Sequence, residues 1–410
     1  MKNKIILDYP NKLNIIFDKL DKYDIKIILI GGYVRDFLLN IRSKDIDIEL
    51  FNIKSFALLE EILKEFGDVN SVGKSFGVCK LKYCGVEVDF SLPRTDSKHT
   101  KGHKGFEVSV DSTLDFKTAA SRRDFTINAM GYDVKKEEFL DPFNGFNDLK
   151  NSLIKAVDLN KFGEDPLRVL RAVQFASRFN FTLEKALFTE CKKMIKEEVL
   201  KELPKERIFT ELQKLLLKSS QPSLGLKLAK ELGVVNYFGE YETLAQLDYF
   251  AMNKTANDKT DILIFLTLLY EEKSFNQLHN ITNEVKLIQN IALFLELKNS
   301  FSVDSFSDYT LYLLATKVNI EIFFFYLNAL YLGKKEQNIL KMRTRAEELD
   351  IVTEKLTPFI QGRDLIGLGL KASKEFKNIL DETYAMQMKG VFHTKEEAIK
   401  YLKNYLRDRS

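Results

Sequence analysis

The chain has 410 residues, too many for one compact core, and predicts two to four domains. Charged residues make up 30% and hydrophobic residues 45%, which excludes a wholly disordered chain. Lys plus Arg total 62 against 59 Asp plus Glu, a net charge of +3, so a uniformly basic nucleic-acid coat is excluded while a local basic patch is not.

The first 150 residues hold 10 of the 19 glycines, and their apolar runs are short and β-rich. Residues 26–30 (KIILI) predict a buried strand that runs into Gly31-Gly32 and then a helix (ILIGGYVRDFLL over 28–39). Paired glycines let a backbone approach a ligand and expose N–H groups at a helix start, which suits phosphate, and Arg35 would add charge. The same turn also occurs for purely steric reasons. Residues 45–50 (DIDIEL) alternate acid and aliphatic, a strand with two distinct faces. Asp45 and Asp47 share a face, and like charges side by side are destabilising without a cation between them, so a divalent metal is the economical reading. A helix is predicted over 55–66. Residues 78–83 and 86–92 predict a hairpin turning at Cys84-Gly85. Glu87 and Asp89 share a face of its second strand, and either could complete a three-carboxylate site.

Residues 93–105 (PRTDSKHTKGHKG) read as a mobile basic loop, suited to phosphate or to nothing at all. His99 and His103 lie in cationic surroundings without Cys or Glu and do not read as a metal site. In SRRDFTINAM, residues 121–130, Asp124 could cap a helix start; alternatively Arg122 and Arg123 bind phosphate while Asp124 and Asn128 bond a ribose hydroxyl. DPFNGFNDL, residues 141–149, reads as a connector.

After residue 150 the pattern is almost wholly helical, with predicted helices over 167–179, 183–195, 205–218, 223–232, 261–270, 282–301, 310–318, 320–332 and 334–349, and a helical part from about 362 onward. In FGEDPLRVLRAVQFASR, residues 162–178, Pro166 suits the first helical position and makes Asp165 the N-cap. Arg168, Arg171 and Arg178 fall in one arc of that helix, facing an anionic ligand or simply solvent. Arg207 is a further support residue. The three cysteines, Cys79, Cys84 and Cys191, form no CxxC pair and fit a reducing compartment. Asp8, Pro10 and Lys12 interrupt any apolar signal-peptide core. The longest apolar runs, 262–270 and 322–332, fall short of the ~20 residues that span a bilayer. A cytoplasmic protein with no membrane association is expected.

Taken together, GG-x-VRD, D-x-D, RRDFT-x-N, D-x-x-x-G-x-x-DL, E-D-x-x-R and an ER-containing helix, in this order over about 25–220, resemble the class II tRNA nucleotidyltransferases (CCA-adding enzymes) and bacterial poly(A) polymerases of the polymerase-β-like superfamily. Residues 362–402 also resemble the C-terminal part of CCA-adding members, departing at Lys371-Ala372-Ser373 where a Pro-Gly-type turn would stand. The resemblance implies an α+β nucleotidyltransferase head with a mixed sheet (1–150), followed by an all-α neck (151–220), body (221–300) and tail (301–410), the tail binding tRNA. It implies that Asp45, Asp47 and Asp89 hold Mg²⁺ and that Gly31, Gly32 and Arg35 hold the triphosphate. Arg123, Asp124 and Asn128 would contact the ribose and triphosphate. Glu164, Asp165 and Arg168, with Arg171 nearby, match the element that reads the incoming base of CTP or ATP. The implied partners are the tRNA acceptor end, CTP and ATP, with no obligate protein partner. An A-adding enzyme, a poly(A) polymerase and a catalytically silent RNA-binding protein are the competing readings. The Arg-rich insertion of the poly(A) branch is missing around residues 73–78, and no adjacent His-Asp pair predicts an appended phosphohydrolase.

Overall fold

The computed structural model describes residues 5–43, 45–70, 77–98, 106–234, 238, 243–270, 274–370 and 375–407. The chain divides into two compact units, residues 1–235 and 236–410.

In the first unit a seven-stranded mixed sheet is built from β1 (Lys26–Ile30), β2 (Asp45–Phe51), β3 (Val69–Asn70), β4 (Val78–Tyr83), β5 (Val86–Ser91), β8 (Gly131–Asp133) and β9 (Glu138–Leu140), in the order β3-β4-β5-β2-β1-β8-β9. β2 is its pivot: antiparallel to β1 and parallel to β5. Ile46 and Ile48 are buried on the face opposite the acids, as the alternation requires. α1 (Asn14–Asp21), α2 (Gly32–Leu38) and α3 (Phe56–Lys64) accompany the sheet, and the Ser55 side chain caps α3 by accepting from the Leu58 N–H. The hairpin at Cys84-Gly85 forms in the expected register.

One expectation needs correction. Arg94–Lys98, read as the start of a mobile loop, is a strand (β6), paired antiparallel with β7 (Phe106–Val110). The alternation of that segment is hidden because both faces carry polar residues. His99 and His103, with the rest of 99–105, lie outside the described residues, as do Lys44, 73–76 and 371–373.

α4 (Phe116–Ala120) leads into a single 3₁₀ turn, Thr126–Asn128, so the RRDFTIN segment is a bend and not the start of a long helix. α5 (Gly145–Lys150) follows, then the short pair β10 (Leu153–Ile154) and β11 (Thr182–Leu183). The connector 141–149 has more structure than its sequence suggested. Asp141 accepts the N–H groups of Gly145 and Phe146, and buried Asp148 accepts the Thr126 hydroxyl. A Cβ at Gly145 would stand 2.2 Å from the Thr126 carbonyl oxygen, so only glycine permits this approach. The connector thereby clamps the RRDFTIN bend. Helices α6 (Leu159–Phe162), α7 (Leu167–Phe179), α8 (Lys185–Lys196), α9 (Lys205–Lys218) and α10 (Pro222–Leu232) complete the unit.

The described residues of the second unit form helices joined by turns and loops: Leu244–Met252, Asp258–Leu269, Val285–Lys298, Asp308–Lys317, Ile320–Leu330, Glu336–Glu348, Gly362–Gly367, Glu375–Met388 and Lys395–Arg407. Phe294, Phe323 and Tyr326 pack edge-on and tilted at its centre. Ile360, Leu365, Ile379, Phe392, Ala398 and Leu402 form a separate core nearer the C-terminus. Among the described residues no single helix is long and apolar enough to cross a membrane.

Candidate active site

Strand register brings the predicted acids together. Asp45 opposes Glu87 and Asp47 opposes Asp89 across the parallel β2–β5 pair, so the four side chains share one sheet face. Burial pushes the Asp47 carboxyl above the ordinary carboxylate range. Arg123 pulls it back, while Asp89 and Asp45 add to the rise. Glu87 is mostly exposed and lies 4.0 Å from Lys82, which leaves Asp89 as the third acid acting on Asp47. The three-carboxylate cluster is not gathered, however: among the described residues no three His, Cys, Asp or Glu side chains converge as a metal-holding group. Asp89 instead accepts from Lys80 Nζ at 2.5 Å.

Asp45 and Asp47 line a cleft of about 800 Å³. Its walls include Gly32, Arg94, Arg122, Arg123, Arg168 and Arg207. At the glycine turn Gly31 has φ +66°, a backbone that favours glycine, and a Cβ there would displace the Arg123 guanidinium, whose Nη1 would lie 2.7 Å away. Arg123 lies across this turn, donating to the Asn128 carbonyl oxygen at 3.1 Å.

Several residues expected at the ligand are engaged with one another. Arg35 is 4% exposed; it donates through Nε and Nη2 to Asp36 Oδ1 at 2.8 and 2.6 Å, and through Nη1 to Asn128 Oδ1 at 2.5 Å. Asn128 Nδ2 donates to Asp124 Oδ1 at 2.9 Å, and Arg171 Nε donates to Asp124 Oδ2 at 2.6 Å. Arg178 Nη2 closes the circuit on Asp36 Oδ2 at 3.1 Å. The ring therefore starts and ends on α7, two turns apart, passing through α2 and the RRDFTIN bend. Arg35 also lies over the Phe175 and Phe179 rings, 5.2 and 4.7 Å from their centroids. Arg35, expected to reach a triphosphate, lines the same cleft and also ties α2 to the RRDFTIN bend. Burial alone would raise the Asp124 carboxyl, but Arg171 and Asn128 hold it below its ordinary value. Burial likewise would lower Arg171, but Asp124 and Glu211 raise it.

At the start of α7, Pro166 stands one place before the first helical residue, and Asp165 caps by accepting the Leu167 N–H at 3.1 Å. The cap comes from the residue expected, with the helix beginning one position later. Asp165 Oδ2 is 3.8 Å from Arg207. Arg168 donates to the Lys161 and Arg122 carbonyl oxygens at 2.8 and 3.0 Å, which aims its guanidinium along the cleft wall.

Sequence reasoning missed Glu49, Phe175, Glu211 and Lys214. Glu49 was visible in principle as the third acid of the alternation that holds Asp45 and Asp47. Phe175, Glu211 and Lys214 follow only from the packing of α7 and α9.

This combination, a mixed sheet with D-x-D carboxylates beside a Gly-Gly turn and a helical arginine wall, defines a polymerase-β-like nucleotidyltransferase head followed by a helical remainder. Residues 27–155 match the poly A polymerase head domain, and residues 180–242 match the probable RNA and SrmB-binding site of polymerase A. The chain is 34% identical over 215 residues to the multifunctional CCA protein of Aliivibrio salmonicida, covering 51% of this chain and 50% of that one. It is 30% identical over 276 residues to the CCA-adding enzyme of Staphylococcus haemolyticus, covering 67% and 66%. The first of these alignments spans about half the length of the relative it matches. The crystal structure of the Bacillus stearothermophilus CCA-adding enzyme in complex with CTP superposes with a TM-score of 0.79 at 21% identity over 98% of this chain and 99% of that one, a likeness of fold. Residues 27–155 thus match the poly A polymerase head-domain family, and the chain is similar to CCA-adding enzymes.

That family is one of metal-dependent nucleotidyltransferases. The residues here suit a hard divalent cation in kind. Asp47 is penalised by burial and by the neighbouring Asp89 and Asp45 charges, which an added cation would relieve. Lys80 is the only cation hydrogen-bonded to Asp89 among the described residues.

Proposed function

We propose that this protein adds CCA to the 3′ end of tRNA from CTP and ATP without a nucleic-acid template, releasing pyrophosphate at each step. The observation that carries the reading is that Asp45 and Asp47 line the same cleft as Asp165 and Arg168. Chemistry and base reading thus share one cavity. The CCA names of the curated relatives support the substrate, and the CTP in the structural neighbour supports the nucleotide.

In this reading residues 1–150 form the catalytic head, 151–220 the base-reading neck, 221–300 the body and 301–410 the tail that grips tRNA. Asp45 and Asp47, with Asp89, would hold Mg²⁺. When bound, the metal supplies Lewis acidity that makes the RNA 3′-hydroxyl more acidic and offsets charge on pyrophosphate. The chain's own residues bind and orient. Arg123 and the backbone at Gly31-Gly32 hold the triphosphate. Asp165 accepts from the exocyclic amine of C or A, and Arg168 donates to ring nitrogens or a carbonyl; uracil and guanine present the wrong pattern at that edge. Arg35, Asp124, Asn128 and Arg171 line the same cleft and contact the ribose and triphosphate from within the ring that holds them in place. A cytoplasmic location belongs to the same proposal.

The test supplies each labelled nucleotide singly, with Mg²⁺, to tRNA ending at the discriminator base and to tRNA ending in C or CC. Incorporation of CTP followed by ATP supports the reading. ATP incorporation only on CC-ended tRNA would mark an A-adding enzyme, and long A tails on generic RNA a poly(A) polymerase. Absence of any transfer would leave an RNA-binding protein.

A further inference from the structure

Glu49 is 0% exposed, on the same face of β2 as Asp45 and Asp47. Its neighbours in register are Ile28 on β1 and Ser91 on β5, so the sheet gives it no cation. A carboxylate removed from water in this way is costly unless paired. Its partner comes from the RRDFTIN segment: Arg122 Nη2 donates to Glu49 Oε1 at 3.1 Å. Oε2 is buried without a hydrogen-bond partner among the described residues, as are the Nε atoms of Arg122 and Arg123. Arg122 and Arg123 are adjacent guanidiniums whose charges repel. Burial and Arg122 both lower the Arg123 guanidinium, and Glu49 is the first group opposing that shift.

We infer that Glu49 is a positioning residue for nucleotide binding: its buried carboxylate holds Arg122 and offsets the charge of the arginine pair, so that Arg123 stays across the Gly31 turn beside Asp47, facing the triphosphate of an incoming nucleotide. A core role alone does not account for the charge. Ile46 and Ile48 fill the opposite face, and an apolar side chain at 49 would be cheaper to bury than an acid with one oxygen unbonded. Without the acid, two neighbouring guanidiniums remain in a half-buried site, and Arg123 relieves the repulsion by leaving the turn.

The inference rests on the nucleotidyl-transfer reading, and its test separates the two. Binding of trinitrophenyl-ATP and of CTP to the full-length chain is measured without tRNA, beside tRNA affinity, the KM and kcat for CMP transfer, and Tm. For Glu49→Gln, nucleotide Kd and KM are expected to rise about tenfold, with kcat and tRNA Kd changed less than threefold. Arg122→Met in the same chain removes the second charge, so the double variant should bind nucleotide no worse than the weaker single variant. Unchanged nucleotide affinity in Glu49→Gln, a loss confined to Tm, or additive losses in the double variant would each overturn the assignment. If Glu49→Gln does not fold, the double variant is read against Arg122→Met alone, and it should show no further loss of nucleotide affinity; a further loss overturns the assignment. A wild-type chain that binds nucleotide but transfers nothing to tRNA would sink the proposed function and leave the Glu49 assignment to be decided by the binding data.

Discussion

Replacing Asp36 with alanine tests the polar ring directly. Asp36 is 4% exposed and takes three donated bonds, two from Arg35 and one from Arg178. Truncation leaves both guanidiniums without that carboxylate. The Arg178 side chain is 20% exposed and can turn towards water, so its share is small. The Arg35 side chain is 5% exposed and cannot. Breaking a buried pair from one side costs about 3–5 kcal/mol. The Phe175 and Phe179 rings and the remaining bond to Asn128 still stabilise Arg35, so the lower end, about 3 kcal/mol, is expected. At roughly 2–4 °C per kcal/mol for a unit of this size, Tm should fall by about 6–12 °C in a thermal scan. Asp36→Ala combined with Arg35→Met should recover part of that loss, because no charge is then left buried alone. A fall under about 3 °C, or a double variant that loses the sum of both singles, would show that the ring does not hold α2 to α7.

Asp47→Ala should abolish nucleotide transfer while tRNA affinity in a filter-binding assay stays unchanged; retained turnover would remove Asp47 from the chemistry. Arg168→Ala should lower the preference for CTP and ATP over UTP and GTP by about tenfold, with a smaller effect on tRNA binding, as one lost base-directed hydrogen-bond donor implies. Gly31→Ala, with its Cβ 2.7 Å from Arg123 Nη1 and a backbone at φ +66°, should weaken nucleotide binding and lower stability by about 1–2 kcal/mol, read by titration and melting. The Asp124 carboxyl is held below its unfolded value by Arg171 and Asn128. Its stabilisation is therefore complete above the unfolded carboxylate range, near pH 4, and is lost as pH falls through the lower folded value. Asp124→Asn should destabilise the protein at pH 7 and flatten that acid limb in melts taken from pH 5 down to 2.

The local elements were legible because short-range rules set them. The four aliphatic residues of KIILI are all buried beside a half-exposed Lys26, and DIDIEL can satisfy both acid and aliphatic residues only as a two-faced strand. The Cys84-Gly85 hairpin and the Asp165 cap follow from residues within a few positions of one another. The acids at 45, 47 and 89 could be named because parity along a strand fixes the face, although the pairing of Asp47 with Asp89 needed the parallel register. Partner choice was not legible. Arg35 and Arg123 are the same residue type beside the same kind of turn or bend. One is buried between Phe175, Phe179 and Asp36, whereas the other crosses the Gly31 turn. Arg94–Lys98 was taken for a loop because its own sequence, RTDSK, carries no hydrophobic alternation. Local pattern thus determined which segments are strands, turns and helices and which side chains carry charge. Only the packing of α7 against α2 and the RRDFTIN bend decided where each charge finds its counter-charge, since that depends on burial and on distances between residues up to 142 positions apart.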